Sequence, residues 1–210
     1  MSWERSAAFA GFSFVAFYVA AFALGIEVGA SDREIVDYYA DSGNRAKELA
    51  AFFLIATAGL SYLLFAVLLR SLLVREEQGT GVLAALSLAS GAATTALVLA
   101  GNAVSRATAF AAMDEEFELE PNTRRLLENT GFLLFVCATL AAIVLVVSVS
   151  LAALRCGILP RWLGWAGFPP ALLLPLAIAF VGFLVLMIWV LAVSVTLLLR
   201  ATDQERLSPG

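Results

Sequence analysis

Long stretches without charge divide the chain into apolar segments separated by polar ones. The uncharged stretches cover residues 6–26, 49–69, 78–105, 129–154 and 162–199. A helix needs about 20 apolar residues to cross the hydrocarbon core of a bilayer, and each stretch is long enough to do so. The pattern therefore predicts an all-α fold, namely a polytopic transmembrane helical bundle.

Residues that cap or break helices set the limits of the predicted spans. One membrane domain should occupy residues 1–210, with spans at about 7–28, 45–73, 80–111, 123–155, 161–179 and 182–200. The fourth span follows Pro121, and Asn122 or Thr123 is its predicted cap.

A short helix over about 32–41 is predicted between the first two spans. Ser31 and Glu34 have the spacing of a capping box, and Gly43 is the expected end of this helix. Tyr38 and Tyr39 share one of its faces with Ile35, so an interfacial position with both tyrosines at headgroup level is expected.

The last uncharged stretch leaves the number of spans open. A single helix over 162–199 would be roughly 57 Å long, nearly twice the thickness of the hydrocarbon core. Pro169, Pro170 and Pro175 interrupt its first half, and Gly182 is a candidate turn. We favour two short spans, which gives six in total. The alternative is an interfacial segment at 160–168 followed by one long tilted helix, which gives five.

Composition limits the chemistry that the chain could perform. Of the 210 residues, 61% are hydrophobic and only 14% are charged, whereas soluble proteins are about 25% charged. Histidine, the commonest general base at neutral pH and a frequent metal ligand, is absent. No catalytic constellation is visible. We therefore expect no catalytic residue, cofactor or metal site, and the absence of a basic run argues against a nucleic-acid partner.

The distribution of charge predicts an orientation in the plasma membrane. Basic residues of short loops favour the cytoplasm. The basic residues near the start and in the short connections are Arg5, Arg70, Arg75, Arg155 and Arg161. The longer loops around 29–45 and 113–122 are rich in acidic residues. The N-terminus should therefore be cytoplasmic and the acidic loops outside, and six spans would also keep Arg200 and Arg206 inside.

The third predicted span carries a polar stripe at helical spacing. The stripe consists of Ser87, Gly91, Thr94, Thr95, Asn102, Ser105 and Arg106. In the leading interpretation these small and hydroxyl-bearing residues form a helix-packing seam, with Ser87, Gly91, Thr94 and Thr95 at its centre. In the alternative interpretation the stripe lines a polar track or a ligand cavity.

Two ionisable residues mark the predicted outer boundary of the membrane. Glu27 follows the first uncharged stretch and Arg106 follows the third. Charges at such depths are usually paired or reach toward the headgroups. We predict a polar cluster of Glu27, Asn102 and Arg106, in which an ion pair would join the first helix to the third or would help to bind a ligand.

The segment Leu159-Pro160-Arg161-Trp162-Leu163-Gly164-Trp165 has the character of an interfacial anchor. Arg161 can face lipid phosphates, while Trp162 and Trp165 suit the headgroup level. The run 161–165, together with Trp189, Ser194 and the closing Leu-Leu-Leu-Arg at 197–200, resembles a family of uncharacterised bacterial multi-pass membrane proteins. This resemblance implies a domain of about six spans and implies no activity.

Two functions from different classes follow from these observations. The leading prediction is a non-catalytic membrane protein that serves as a subunit, scaffold or accessory partner of a complex, or forms a homo-oligomer, within the lipid bilayer. The alternative is a small permease or ligand-binding membrane protein that uses the polar stripe. An intramembrane enzyme ranks third, because no residue at a matching depth could activate a serine or cysteine nucleophile.

Overall fold

The computed structural model describes residues 3–26, 28, 31–76, 81–114, 116–156, 160–173 and 181–207. The helices are α1 (Trp3–Phe22), α2 (Asp32–Ala40), α3 (Ser42–Glu76), α4 (Val82–Ala111), α5 (Pro121–Cys156), α6 (Arg161–Ala166), α7 (Phe168–Leu173) and α8 (Val181–Leu207). The described part of the chain contains no strand. The predicted all-α bundle is confirmed at this level.

Within the described residues, five helices are long and apolar enough to cross a membrane, namely α1, α3, α4, α5 and α8. Helix α3 packs between α1 and α4, α4 packs along α5, and α1 packs along α8. Leu145, Val190 and Phe65 are among the fully buried side chains of the shared core. We call the end of the bundle that carries α2 the α2 end, and the opposite end, where α5 runs into α6, the α6 end.

The region of the predicted span 161–179 begins with two short helices instead of one continuous helix. Helix α6 ends at Ala166, and α7 starts at Phe168 after a turn at Gly167. Gly167 packs directly against Ser150 of α5, and a larger residue at this position would require the Ser150 side chain to move. Residues 174–180 lie outside the described part of the chain, so the count of six spans stays a prediction.

Helix α2 begins as predicted and ends differently. Both halves of the capping box between Ser31 and Glu34 are present, which confirms that motif. The expectation that Gly43 ends the helix is wrong, because Asp41 forms the C-cap and Gly43 lies inside α3. Tyr39 is buried beside Ala109. The Tyr39 side chain therefore faces the protein interior. The prediction that both tyrosines lie at headgroup level is wrong for Tyr39.

Two other helix ends depart from the predicted positions. Helix α1 stops at Phe22, where short-range backbone hydrogen bonds lead into Gly25 with a positive φ of 57°, the usual left-handed end of a helix. Helix α5 starts at Pro121, and the Glu120 carboxylate accepts a hydrogen bond of 2.5 Å from the Thr123 N–H. Glu120, not Asn122 or Thr123, therefore provides the side-chain cap, and these hydrogen bonds lower the pKa of the Glu120 carboxyl.

Candidate functional site

The polar stripe of α4 divides into two parts with different surroundings. Ser87, Gly91, Thr94 and Thr95 are all buried. The Thr95 hydroxyl donates to the carbonyl oxygen of Gly59 in α3 at 3.3 Å, and a Cβ added at Gly91 would overlap the Cβ of Ala66. This half of the stripe is a close contact between α3 and α4, as small residues permit.

The other half of the stripe borders a cleft at the α2 end. Asn102, Ser105 and Arg106 line it from α4, in a volume of about 710 Å³. The remaining lining residues belong to four helices and the segment after the first: Tyr18, Ala21, Phe22, Gly25, Ile26 and Val28 in and after α1, Ile55 in α3, Val98 and Gly101 in α4, and Glu128, Asn129, Gly131, Phe132 and Phe135 in α5. The volume lies in the range of small-molecule sites, roughly 300–1,000 Å³.

Glycines bring α4 and α5 together along one side of the cleft. A Cβ added at Gly101 would lie 2.8 Å from the carbonyl oxygen of Gly131, and the Ser105 side chain rests against Gly131. The two backbones therefore meet at a distance that only glycine allows. This approach fixes the positions of Ser105 and Asn102 relative to the first turns of α5.

Aromatic rings close the cleft toward the middle of the bundle. Tyr18 of α1 stacks on Phe135 of α5 with ring centroids 6.5 Å apart, and Phe183 of α8 lies 4.3 Å from Tyr18 and 4.8 Å from Phe135. Nearer the α2 end, Phe22 is 77% exposed. The cleft thus has an aromatic floor and an apolar rim beside α1.

An ion pair lies against the polar side of the cleft. The Arg106 guanidinium donates to the Glu48 carboxylate of α3. Glu48 is only 1% exposed, and the Arg106 side chain is 18% exposed. Because consecutive helices run antiparallel, residues near the start of α3 and near the end of α4 reach the same depth.

The predicted partner of Arg106, Glu27, lies outside the described residues, so that pairing stays a prediction. Sequence reasoning missed Glu48, although a signal was present. Glu48 immediately precedes the uncharged stretch 49–69, just as Arg106 immediately follows the stretch 78–105. Two charges at matching boundaries of consecutive spans are natural partners, since each is expensive to bury alone.

A second set of charged contacts fastens α2 to α5. The Arg124 Nε donates to the Tyr39 hydroxyl at 2.6 Å, and its Nη1 donates to Glu128 at 2.6 Å. Arg125 forms a more exposed ion pair of 2.6 Å with Asp32. Burial raises the pKa of the Tyr38 hydroxyl next to this group. Helix α2 therefore caps the bundle beside the cleft.

Several polar atoms next to the cleft lack a hydrogen-bond partner. The Asn102 Nδ2 donates to the carbonyl of Phe52 at 3.0 Å. A carbonyl only accepts, so this contact fixes the amide orientation and leaves Oδ1 for another donor. In the described part of the chain Asn102 Oδ1, Arg106 Nε and Glu48 Oε1 are buried without a partner. Such atoms are costly to leave unsatisfied, at about 1–3 kcal/mol each.

The predicted anchor residues lie far from this site, at the α6 end. Arg161, Trp162 and Trp165 are exposed on α6, whereas Leu163 and Gly164 are buried against α5. Helix α6 thus turns its tryptophans and its arginine away from the protein. This placement agrees with what an anchor at the membrane surface requires.

Fold and site together define the class of this protein as a multi-pass helical membrane protein with a half-polar cleft at one end. Comparisons with protein-family models, with curated proteins and with solved structures found no match to the chain. The resemblance carried by residues 161–165 stays a prediction. Among the described residues, no group of three or more His, Cys, Asp or Glu side chains could hold a metal ion.

Proposed function

We propose that this chain is a non-catalytic integral membrane protein that binds a small amphiphilic molecule in the cleft at the α2 end. Of the two functions predicted from sequence, the geometry favours the ligand-binding alternative. The cleft combines an aromatic and aliphatic wall with a few polar groups at one side, which is the usual composition of a small-molecule site.

One observation carries the proposal. Arg106, which is held by Glu48, lines the same volume as the apolar side chains of Phe22, Ile55 and Val98. A closed packing seam would leave no such volume beside a guanidinium whose side chain is still 18% exposed. A bound molecule with a polar headgroup and an apolar body would fill both parts of the cleft.

The aromatic floor favours binding over transport. Tyr18 and Phe135 stack at the floor of the cleft, and Phe183 packs against both rings at tilted angles. The other half of the polar stripe is occupied by contacts between α3 and α4. A permease would have to separate these rings in another conformation. The subunit or scaffold predicted from the sequence would instead be supported by a second chain that co-purifies in fixed stoichiometry.

The proposal keeps the predicted orientation in the plasma membrane, with the N-terminus cytoplasmic and the cleft outside. It also keeps six crossings. Phe183, near the start of α8, contacts Phe14 and Tyr18 of α1, whereas Ser194 further along α8 contacts Gly11. Helix α8 therefore begins toward the α2 end and runs back to the end where α1 starts, which supports an even number of crossings.

A cleft-filling substitution tests the proposal. Val98 lines the cleft, whereas Ala100 is exposed on the same helix and does not line it. We expect Val98→Trp to abolish retention of co-purifying amphiphiles, measured by native mass spectrometry from mild detergent, while Ala100→Trp leaves it unchanged. Equal retention by both variants and the parent protein would refute the cleft as the binding site.

A further inference from the structure

The cleft presents one charge of each sign to whatever occupies it. Arg106 lines it from α4 and Glu128 lines it from α5. Each charge is held from behind by a partner of opposite sign, Glu48 for Arg106 and Arg124 for Glu128. A site for a simple anion or cation would present lining charges of one sign, whereas one lining charge of each sign suits a zwitterion.

The two lining charges refine the chemistry of that zwitterion. The Arg106 side chain is 18% exposed, and phosphate oxygens are the acceptors that a guanidinium matches best. The Glu128 side chain is 58% exposed, and its carboxylate can accept beyond the bond from Arg124. The second group of the ligand must therefore donate hydrogen bonds.

A primary ammonium meets this need and a quaternary one does not. An –NH₃⁺ group has three N–H donors, whereas a trimethylated nitrogen has none and is recognised through aromatic faces. The rings of Tyr18 and Phe135 form the floor of the cleft, stacked on each other, while the Glu128 carboxylate lines its polar side.

The apolar wall determines the rest of the molecule. Phe22, Ile55 and Val98 line the cleft beside the charged groups, and Phe22 is exposed where α1 ends. Acyl chains could occupy this wall and leave the cleft past Phe22 into the surrounding bilayer. A free headgroup would leave these side chains uncovered.

We infer that the ligand is a phospholipid whose headgroup carries a phosphate and a primary ammonium, with the phosphate at Arg106 and the ammonium at Glu128. This inference rests on the proposed function, since it names the class of amphiphile that the cleft takes. The membrane itself would then supply the ligand.

Lipid competition tests the inference directly. The full chain, purified in mild detergent, is exposed to phosphatidylethanolamine, phosphatidylcholine or phosphatidylglycerol with identical acyl chains, and bound lipid is counted by native mass spectrometry. We expect phosphatidylethanolamine to be retained about tenfold better than either of the others, the ratio that one additional charge-assisted hydrogen bond provides.

Two matched variants locate the preference. Glu128→Gln removes the carboxylate that should receive the ammonium, and Asp32→Asn breaks a comparable ion pair between α2 and α5 outside the cleft. Glu128→Gln should reduce the preference to less than about twofold while lipid remains bound. Asp32→Asn should keep the preference of the parent protein.

The outcomes separate this inference from the proposed function. Equal retention of the three lipids, or an unchanged preference in Glu128→Gln, would refute recognition of a zwitterionic headgroup. The cleft would then still bind amphiphiles. Lipid retention that Val98→Trp leaves unchanged would overturn the proposed function itself. Displacement of the lipid by soluble phosphorylethanolamine at equal concentration would overturn the role of the acyl chains.

Discussion

Breaking the ion pair between Glu48 and Arg106 should destabilise the bundle more than breaking any other ion pair among the described residues. Glu48→Leu would leave the Arg106 guanidinium without its partner in a site where the side chain is only 18% exposed. An uncompensated buried charge costs about 3–5 kcal/mol. Because Arg106 borders the cleft and can reach water there, the cost should be smaller than for a fully buried charge. We expect Glu48→Leu to lower the free energy of unfolding by about 2–3 kcal/mol.

The second substitution tests whether this cost comes from the pair. Arg106→Met removes the charge left behind, and apolar replacement of a whole buried pair is often close to neutral, so the double variant should lose at most about 1 kcal/mol. The coupling free energy equals the costs of the two single variants minus the cost of the double variant. Glu48→Leu and the double variant alone give at least about 1 kcal/mol, and the cost of Arg106→Met, which leaves the buried Glu48 carboxylate unpaired, adds to this value.

Unfolding in mixed micelles, followed by helical circular dichroism, measures these free energies. The exposed pair of Asp32 and Arg125 is the control, with side chains 71% and 38% exposed, and exposed pairs contribute about 0–1 kcal/mol. The reasoning would be refuted if Glu48→Leu cost the same in the Arg106→Met background as in the parent protein.

Three further predictions concern packing, orientation and a helix cap. Gly91→Leu should destabilise the bundle by about 1–3 kcal/mol by overpacking the contact with α3, whereas Ala93→Leu on the exposed face should have little effect; both are read from the same unfolding curves. In a variant without native cysteines, cysteines at Ser42 and Asn122 should react with an impermeant maleimide in intact cells. Glu120→Ala should lower the melting temperature at pH 7. Since the folded-state pKa of Glu120 lies below the ordinary 4.5, this cap stabilises fully above 4.5 and is lost as the pH falls through the lower folded value.

Each of these predictions has a contrary result. Equal unfolding free energies for the two leucine variants would contradict a close approach at Gly91. Maleimide labelling that requires opened cells would reverse the orientation. At acidic pH the Glu120 carboxyl of the parent protein is protonated. If Glu120→Ala still has the lower melting temperature there, the side chain does not act through its ionised form.

Sequence patterns predicted the long helices well because membrane spans depend on local composition. A stretch of about 20 uncharged apolar residues can satisfy its backbone in lipid only as a helix, so α3, α4 and α5 appear where they were expected. The capping box at Ser31 was equally local, since its two residues lie three positions apart. Predictions for helix ends failed where a neighbouring residue competed, as Glu120 did with Asn122 for the start of α5.

The candidate site could be predicted only in part, because it depends on which helices face each other. Sequence spacing placed Asn102 and Arg106 on one face of α4. It could not show that the stripe divides between a packing contact at Gly91 and an open cleft beyond Gly101. That division depends on where residues of α1, α3, α4 and α5 together line the cleft beside the rings of Tyr18 and Phe135.

The sequence by itself determined that this chain is a helical membrane protein, because hydrophobic length and the absence of charge act residue by residue along the chain. The tertiary structure decided the partner of Arg106 and the existence of the cleft. Glu48 lies far from Arg106 in sequence, and only antiparallel packing of α3 and α4 brings their charges to one depth. Pair formation and cavity shape depend on relative helix positions, which hydrophobic periodicity does not specify.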